Sequence, residues 1–403
     1  MIKVGVIYGG ESVEHEVSII TAVQAMSFMD TSKYDVIPIY IGKDRNWYTA
    51  ECLKNMESYK NLEEIPFIAK EVTLTKKDDQ FVLQKKRGLF KGVVDTIDVA
   101  FPIVHGKGVE DGSLSGYLET LGIPYVGPSM LGAAVGQDKV VQKQILQASN
   151  IPVVDYVWFY DHEYLNDEDK IVKEVKGLKF PVIVKPARLG SSVGITVAHD
   201  EEELKESIEE AIKYDEKIVV EAMVKNLLEV DCAVLGNSED MECSLIGEML
   251  TDIVLLTFDD KYIGKGGKGG KNGAKNAGPN TGGVINTGGF KIPAEIDKEI
   301  EEQIYRYSKE AFRALNLKGV TRFDFLVDKK AKQAYVNEPN TIPGCLAFFF
   351  YTPKGKKYPM LLDELIKQTI KDYKNASKKV TSFESNVLST YDGSKGAKGK
   401  LQP

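Results

Sequence analysis

The stretch FPVIVKPARLGSSVG, residues 180–194, constrains the fold more than any other part of the chain. Its apolar run is short, rich in β-branched residues and flanked by prolines, so it reads as a strand. The strand ends in Lys185, and a lysine pointing inward there is costly unless an anion meets it. Gly190, Ser191, Ser192 and Gly194 follow at once as a flexible loop rich in donors, able to fold over phosphates. It is not a Walker A loop, because the lysine precedes the glycines and no GKT or GKS follows. The plainer alternative is an edge lysine beside a surface turn.

RFDFLVD and YVNEPN are two further strands joined by a Lys-rich turn. The two-residue period puts Arg322 and Asp324 on one face, and Glu338 and Asn340 on one face of the next strand. If these strands are neighbours, Asp324, Glu338 and Asn340 converge as hard oxygen donors suited to Mg²⁺ bridging phosphates, with Arg322 beside them to meet developing negative charge. A solvated polar sheet face is the alternative.

The amino terminus reads as strand, turn and helix: an apolar run from Ile2 to Tyr8, Gly9 and Gly10, then a helical pattern through Val17, Ile20, Val23 and Met26. With VIPIYIG and TIDVAFPIV, the first 125 residues predict an open parallel sheet with covering helices, its strand ends carrying ligand loops. In GGESVEHEVS the acids Glu14 and Glu16 answer a helix dipole, or Glu14 holds an amino group in a cleft. His105 and Glu110 stand in HGKGVEDGSLSG, where the dense glycines and acids raise a functional role above an ordinary hydrogen-bonded histidine.

From Gly127 the pattern changes to a helix around Asp138 to Ala148, the lysine strand, a helix in HDEEELKESIEEAIKY with acids in its first turn, and the strand KIVVEAMV. EVDCAVLGN opens a long, mostly antiparallel stretch. The expected division is 1–125, 126–230 and 231–375, with a Gly/Lys-rich loop at 263–289 and a loosely held tail at 376–403. With 403 residues the chain is long enough for two or three domains, and a net charge of −7 gives no drive toward nucleic acid or an anionic membrane. No run reaches the roughly 18 to 20 apolar residues of a membrane span. The start MIKVGVIYGG does not read as a signal peptide, and the cysteines Cys52, Cys232, Cys243 and Cys345 are scattered, so a cytoplasmic protein acting on small molecules is expected.

Taken together, GGESVEHEVS, HGKGVEDGSLSG, QDK at 137–139, KPARLGSSVG, EVDCAVLG, RFDFLVD and NEPNTIPG resemble the successive motifs of the D-alanine:D-alanine ligase family of ATP-grasp enzymes, in that family's order. The resemblance implies an α/β and α+β chain: an N-terminal open parallel-sheet domain, a central subdomain and a C-terminal antiparallel-sheet domain, with ATP between two antiparallel sheets. It implies Lys139, Lys185 and Ser192 on the phosphates and Glu221 and Glu229 on adenine and ribose. Two Mg²⁺ ions, with Mn²⁺ as an alternative, fall to Asp324, Glu338 and Asn340. Glu14, Ser191 and Tyr262 are implied as the trio closing the site, Arg322 and the Gly344 amide as the oxyanion hole, and His105, Glu110 and Lys261 as substrate contacts. The implied activity joins two D-alanines through an acyl phosphate for peptidoglycan precursor synthesis; a homodimer is left open.

Three segments depart from the family pattern. Phe349 stands where a serine grips the second amino acid's carboxylate, FDDKY is a shortened lid, and Asn226, Leu227 and Leu228 replace an Arg-Glu pair. These keep open a ligase for a different acceptor and a nucleotide-binding sensor without turnover. A dinucleotide site at IYGGES lacks the third glycine of its fingerprint.

Overall fold

A computed structural model describes residues 1–88, 91–250 and 289–382. Its first sheet contains seven strands: β1 (Ile2–Gly9), β2 (Tyr34–Ile41), β3 (Trp47–Thr49), β4 (Lys70–Lys77), β5 (Gln80–Lys85), β6 (Val93–Ile97) and β7 (Val99–Ile103), in the order β6-β5-β4-β3-β2-β1-β7. Only β2-β1-β7 is parallel. Val4, Val6, Ile7 and Tyr8 of β1 are fully buried, as a strand covered on both faces requires. The rest is an antiparallel meander, so the sheet is mixed where the sequence predicts a parallel one. Asp78 and Asp79 make the β4–β5 turn with φ of 47° and 61°, the two left-handed residues of a type I′ hairpin. TIDVAFPIV is two strands rather than one. It breaks at Asp98, whose carboxylate accepts from the Lys3 amide. The first helix, His15–Phe28, buries Val17, Ile19, Val23 and Met26, whereas Ile20 points outward.

The second sheet, β10-β9-β11-β8, is antiparallel and consists of β8 (Tyr156–Tyr160), β9 (Val182–Pro186), β10 (Thr196–Ala198) and β11 (Lys217–Ala222). The third, β14-β13-β12-β15-β16, is also antiparallel: β12 (Leu227–Gly236), β13 (Met241–Met249), β14 (Phe290–Lys291), β15 (Gly319–Asp328) and β16 (Gln333–Asn340). β12 runs across the boundary expected between 230 and 231, so the break between the two sheets lies earlier, at residues 223–226. A cleft between these sheets is lined by Lys185 and Ser192 on one side and by Glu229, Asp324 and Glu338 on the other. Among the described residues no helix is long and apolar enough to cross a membrane.

Candidate active site

Three loops meet at Glu14, the residue that opens helix His15–Phe28. Its carboxylate accepts a hydrogen bond from the Ser191 hydroxyl. Ser191 and Ser192 both take left-handed backbone, φ 53° and 59°, which turns the loop after β9 back toward the first sheet. A Cβ at Gly190 would stand 2.7 Å from Glu14 Oε2, so a side chain there would push the carboxylate out of its present position. Gly106, just beyond β7, backs onto the same oxygen.

His105 and Glu110 fasten the segment between Asn340 and Gly344. Glu110 Oε2 accepts from the Gly106 amide at 2.9 Å, and Oε1 accepts from the Thr341 hydroxyl and the Ile342 amide, each at 3.1 Å. Burial pushes the His105 imidazole down to about 4, against its contact with the Ile342 backbone. Burial, and then the Glu14 charge, push Glu110 up to about 7.

These two shifts act on stability in opposite senses. The neutral His105 contributes fully above its ordinary 6.5, and that contribution is lost as the pH falls toward about 4. Protonated Glu110 contributes fully below its ordinary 4.5, and that is lost as the pH rises through about 7. Between these limits the two offset each other in the parent protein. Glu110→Gln leaves the histidine unopposed, so its melting temperature is expected to drop more steeply than the parent's as the pH falls from 6.5 to 4. His105→Gln should respond the other way, gaining on acidification. Parallel profiles for all three proteins would contradict both shifts.

The lysines are placed by helix and strand together. Asp138 caps helix Lys139–Ala148 by accepting from the Val140 and Val141 amides, and it pairs with Lys217 at 2.9 Å. Lys139 thereby starts the helix with its Nζ 2.8 Å from the Leu189 carbonyl and 3.0 Å from Glu338 Oε2. On β9, Lys185 Nζ lies 2.7 Å from Glu221 Oε2 and 3.4 Å from Asn337 Oδ1. Glu221 turns its other oxygen to Lys143 Nζ at 3.0 Å, and Lys143 and Glu221 are almost wholly buried. Burial works against a charged Glu221, but the two ammoniums outweigh it and hold the carboxyl down at about 2. Burial would also lower Lys185, yet the Glu221 and Glu338 charges raise it. Lys143 is lowered, burial winning over Glu221.

The third sheet supplies a polar face. β15 and β16 are neighbours, with Arg322 opposite Asn340 and Asp324 opposite Glu338. Arg322 donates from Nε and Nη2 to both Asp324 oxygens, at 2.8 and 3.0 Å, and Asn340 Nδ2 donates to Asp324 Oδ1 at 3.0 Å. The register slips beyond Asp324, adding Asn337 to β16 and aiming it at Lys185. Two carboxylates and an amide make a hard oxygen set that fits Mg²⁺ shared with a phosphate. Among the described residues no three His, Cys, Asp or Glu side chains form a closed metal cage by themselves. Glu229 and Ser192 line the same cleft.

Gly344 follows the fastened Thr341–Ile342 segment, and Cys345, Leu346 and Ala347 after it are all left-handed, φ 50° to 52°. Phe349, on the short helix Phe348–Tyr351, stacks into an aromatic cluster with its ring centre 5.9 Å from Phe290 and 4.6 Å from Phe350. Lys261, Tyr262 and residues 263–288 of the Gly/Lys-rich loop lie outside the described residues, as do 383–403 of the tail. Sequence reasoning missed Lys143, Asp231 and Asn337. Lys143 lies one helical turn beyond Lys139, and Asp231 two residues beyond Glu229 on β12, spacings that share a face.

The D-ala D-ala ligase N-terminus family profile matches residues 3–128, and the D-ala D-ala ligase C-terminus profile matches 145–272 and 283–371. The chain is 38% identical over 389 residues to a D-alanine--D-alanine ligase of Thermosipho africanus, covering 96% of this chain and 98% of that one. The structure is similar to the VanG D-Ala:D-Ser ligase of Enterococcus faecalis, with TM-score 0.75, 28% identity, and 91% and 99% of the two chains covered. It is also similar to the D-alanine--D-alanine ligase of Bacillus anthracis complexed with ATP, with TM-score 0.62, 25% identity, and 93% and 99% covered. With the motifs in order on an ATP-grasp framework, the chain belongs to the D-alanine:D-alanine ligase family.

Proposed function

We propose that the chain is an ATP-dependent ligase that joins D-alanine to D-alanine for peptidoglycan precursor synthesis in the cytoplasm, with a homodimer as its assembly. The observation that carries this reading is the cleft where Lys185 stands across from Asp324 and Glu338, with Lys139 paired to Glu338 and Asn340 bonded to Asp324. Those charges neutralise one another in the absence of ligand: Lys139 rests on Glu338 and Lys185 on Glu221. Phosphate oxygens replace the carboxylates on the two lysines, and Ser192 and the glycine loop close over them. Glu229 faces the ribose, while Glu221 acts beside the adenine or through Lys185. Asp324, Glu338 and Asn340 hold two Mg²⁺ ions, Mn²⁺ serving as a substitute; such ions, when bound, neutralise charge on the transferring phosphoryl group.

The γ-phosphoryl group passes to a carboxylate oxygen of the first amino acid, ADP leaves, and the carbonyl carbon becomes electrophilic. The amine of the second attacks that carbon, loses a proton, and inorganic phosphate departs. Glu14 holds the first ammonium and, with Ser191 and Tyr262, closes the site; Lys261 and His105 contact substrate. Glu110 supports the Thr341–Ile342 segment, which leads to the Gly344 amide, and that amide and Arg322 on β15 meet the oxyanion. Phe349 favours a second reading, in which the acceptor is another amino acid, because a phenyl ring cannot replace a hydroxyl as a carboxylate partner.

Phosphate release measured across pairs of D- and L-amino acids decides between acceptors, and release with no pair would remove the ligase reading. In the same buffer, Mg-ATP at 100 times its dissociation constant is expected to add about 2.7 kcal/mol of stability. A melting curve unmoved by saturating Mg-ATP would contradict the nucleotide site.

A further inference from the structure

We propose that Asp231 is a positioning residue that keeps Arg322 aimed at the reaction centre once Asp324 turns to metal. The inference rests on the reading of Arg322 as the oxyanion group. Asp231 lies on β12 directly opposite Asp324 on β15, and Asp324 lies directly opposite Glu338 on β16, so the three carboxylates form one row across the sheet. Residues opposed in this way share a face. Arg322 Nε is 3.0 Å from Asp231 Oδ2 and 2.8 Å from Asp324 Oδ1, so one guanidinium bridges two carboxylates.

The two anchors differ in ways that separate their tasks. The Asp231 side chain is 3% exposed and the Asp324 side chain 21%. Both carboxylates line the cleft, but Asp324 is the more exposed and stands directly opposite Glu338, so its oxygens are the ones an ion draws away from Arg322. Asp231 stands on the opposite side of β15 from Glu338 and Asn340. At rest Nε donates its hydrogen to Asp324, and Asp231 holds the guanidinium as an ion pair; it stays in place to accept from Nε while Asp324 is engaged. Without it, a long side chain with several rotatable bonds would be loosened at the moment its charge is needed.

The test uses the full-length protein with Asp231→Asn, Asp231→Glu and Arg322→Lys. Asparagine is isosteric and keeps an oxygen for Nε, so the fold is expected to survive. Turnover of Asp231→Asn at saturating substrates should fall about 10- to 100-fold, the usual loss when a supporting partner is removed. Its Mg-ATP dissociation constant, measured by calorimetry, should stay unchanged, and Asp231→Glu should fall between the parent and Asp231→Asn. Adding Asp231→Asn to Arg322→Lys should cost little more than Arg322→Lys alone. Arg322→Lys slow with Asp231→Asn at the parental rate would overturn the inference and leave the oxyanion reading standing. Arg322→Lys at the parental rate would remove that reading and the inference with it. A loss of Mg-ATP affinity in Asp231→Asn matching its loss of rate would overturn the inference by assigning Asp231 to ligand binding.

Discussion

Arg322→Lys is expected to slow turnover about 100-fold or more while Mg-ATP affinity stays nearly unchanged. One donor aimed at a developing oxyanion is worth about 3 to 4 kcal/mol of barrier, and lysine keeps the charge but loses the planar fork. That fork is already in use: Nε and Nη2 donate to the two Asp324 oxygens, and Nε also faces Asp231. The competing account is a structural ion pair, in which Arg322 only neutralises two acids. It predicts that Arg322→Lys lowers the melting temperature more than the rate. Rates and melting curves taken on one preparation separate the accounts. Turnover equal to the parent's, with every amino acid pair the parent accepts, would exclude the oxyanion role.

The polar face around Arg322 was legible because strands have a period of two. Alternation alone predicts Arg322 with Asp324 and Glu338 with Asn340, and the pairing of β15 with β16 brings the four together. The register slip was not legible, since a bulge is fixed by backbone geometry between strands, and so Asn337 went unnoticed as a Lys185 partner. Lys185 announced its need for an anion by standing at the end of an apolar strand. Its resting partner comes from β11 and that partner's second cation from a helix, a three-body arrangement that no single periodic segment reveals.

The first sheet teaches a related point about local signals. The buried, β-branched runs of β1, β2 and β7 read correctly as parallel strands. β3 to β6 are partly exposed and linked by turns such as Asp78-Asp79, which needs two left-handed residues and carries no glycine to mark it. Such strands acquire their place only by pairing in turn, β3 on the edge of β2 and each later strand on the one before it. At Glu14 the sequence suggested an amine holder, but the convergence of Gly106, Gly190 and Ser191 on one carboxylate is set by three separate loops.

The order of stabilities among variants at Glu221 follows from the same three-body arrangement. Glu221→Gln strands the Lys143 and Lys185 ammoniums side by side in the interior, and breaking a buried ion pair by removing one partner typically costs about 3 to 5 kcal/mol. Lys143→Met is expected to cost far less. Burial already depresses the Lys143 pKa in spite of Glu221, so its charge is held at a loss, and Glu221 keeps Lys185 when Lys143 is gone. Methionine also roughly conserves the buried volume. Combining Lys143→Met with Glu221→Gln should recover much of what Glu221→Gln loses. The pH dependence gives a second check. A lysine whose folded pKa lies below its ordinary 10.5 weakens the fold while protonated, and that deficit shrinks as the pH rises through the folded value toward 10.5. Glu221→Gln deepens the depression, so its denaturation midpoint should move closer to the parent's between pH 7 and pH 9.5. Chemical denaturation of the four proteins at both pH values tests the scheme. A Glu221→Gln protein as stable as the parent but weak in ATP binding would make Glu221 a direct nucleotide contact rather than the counter-charge on which both lysines depend.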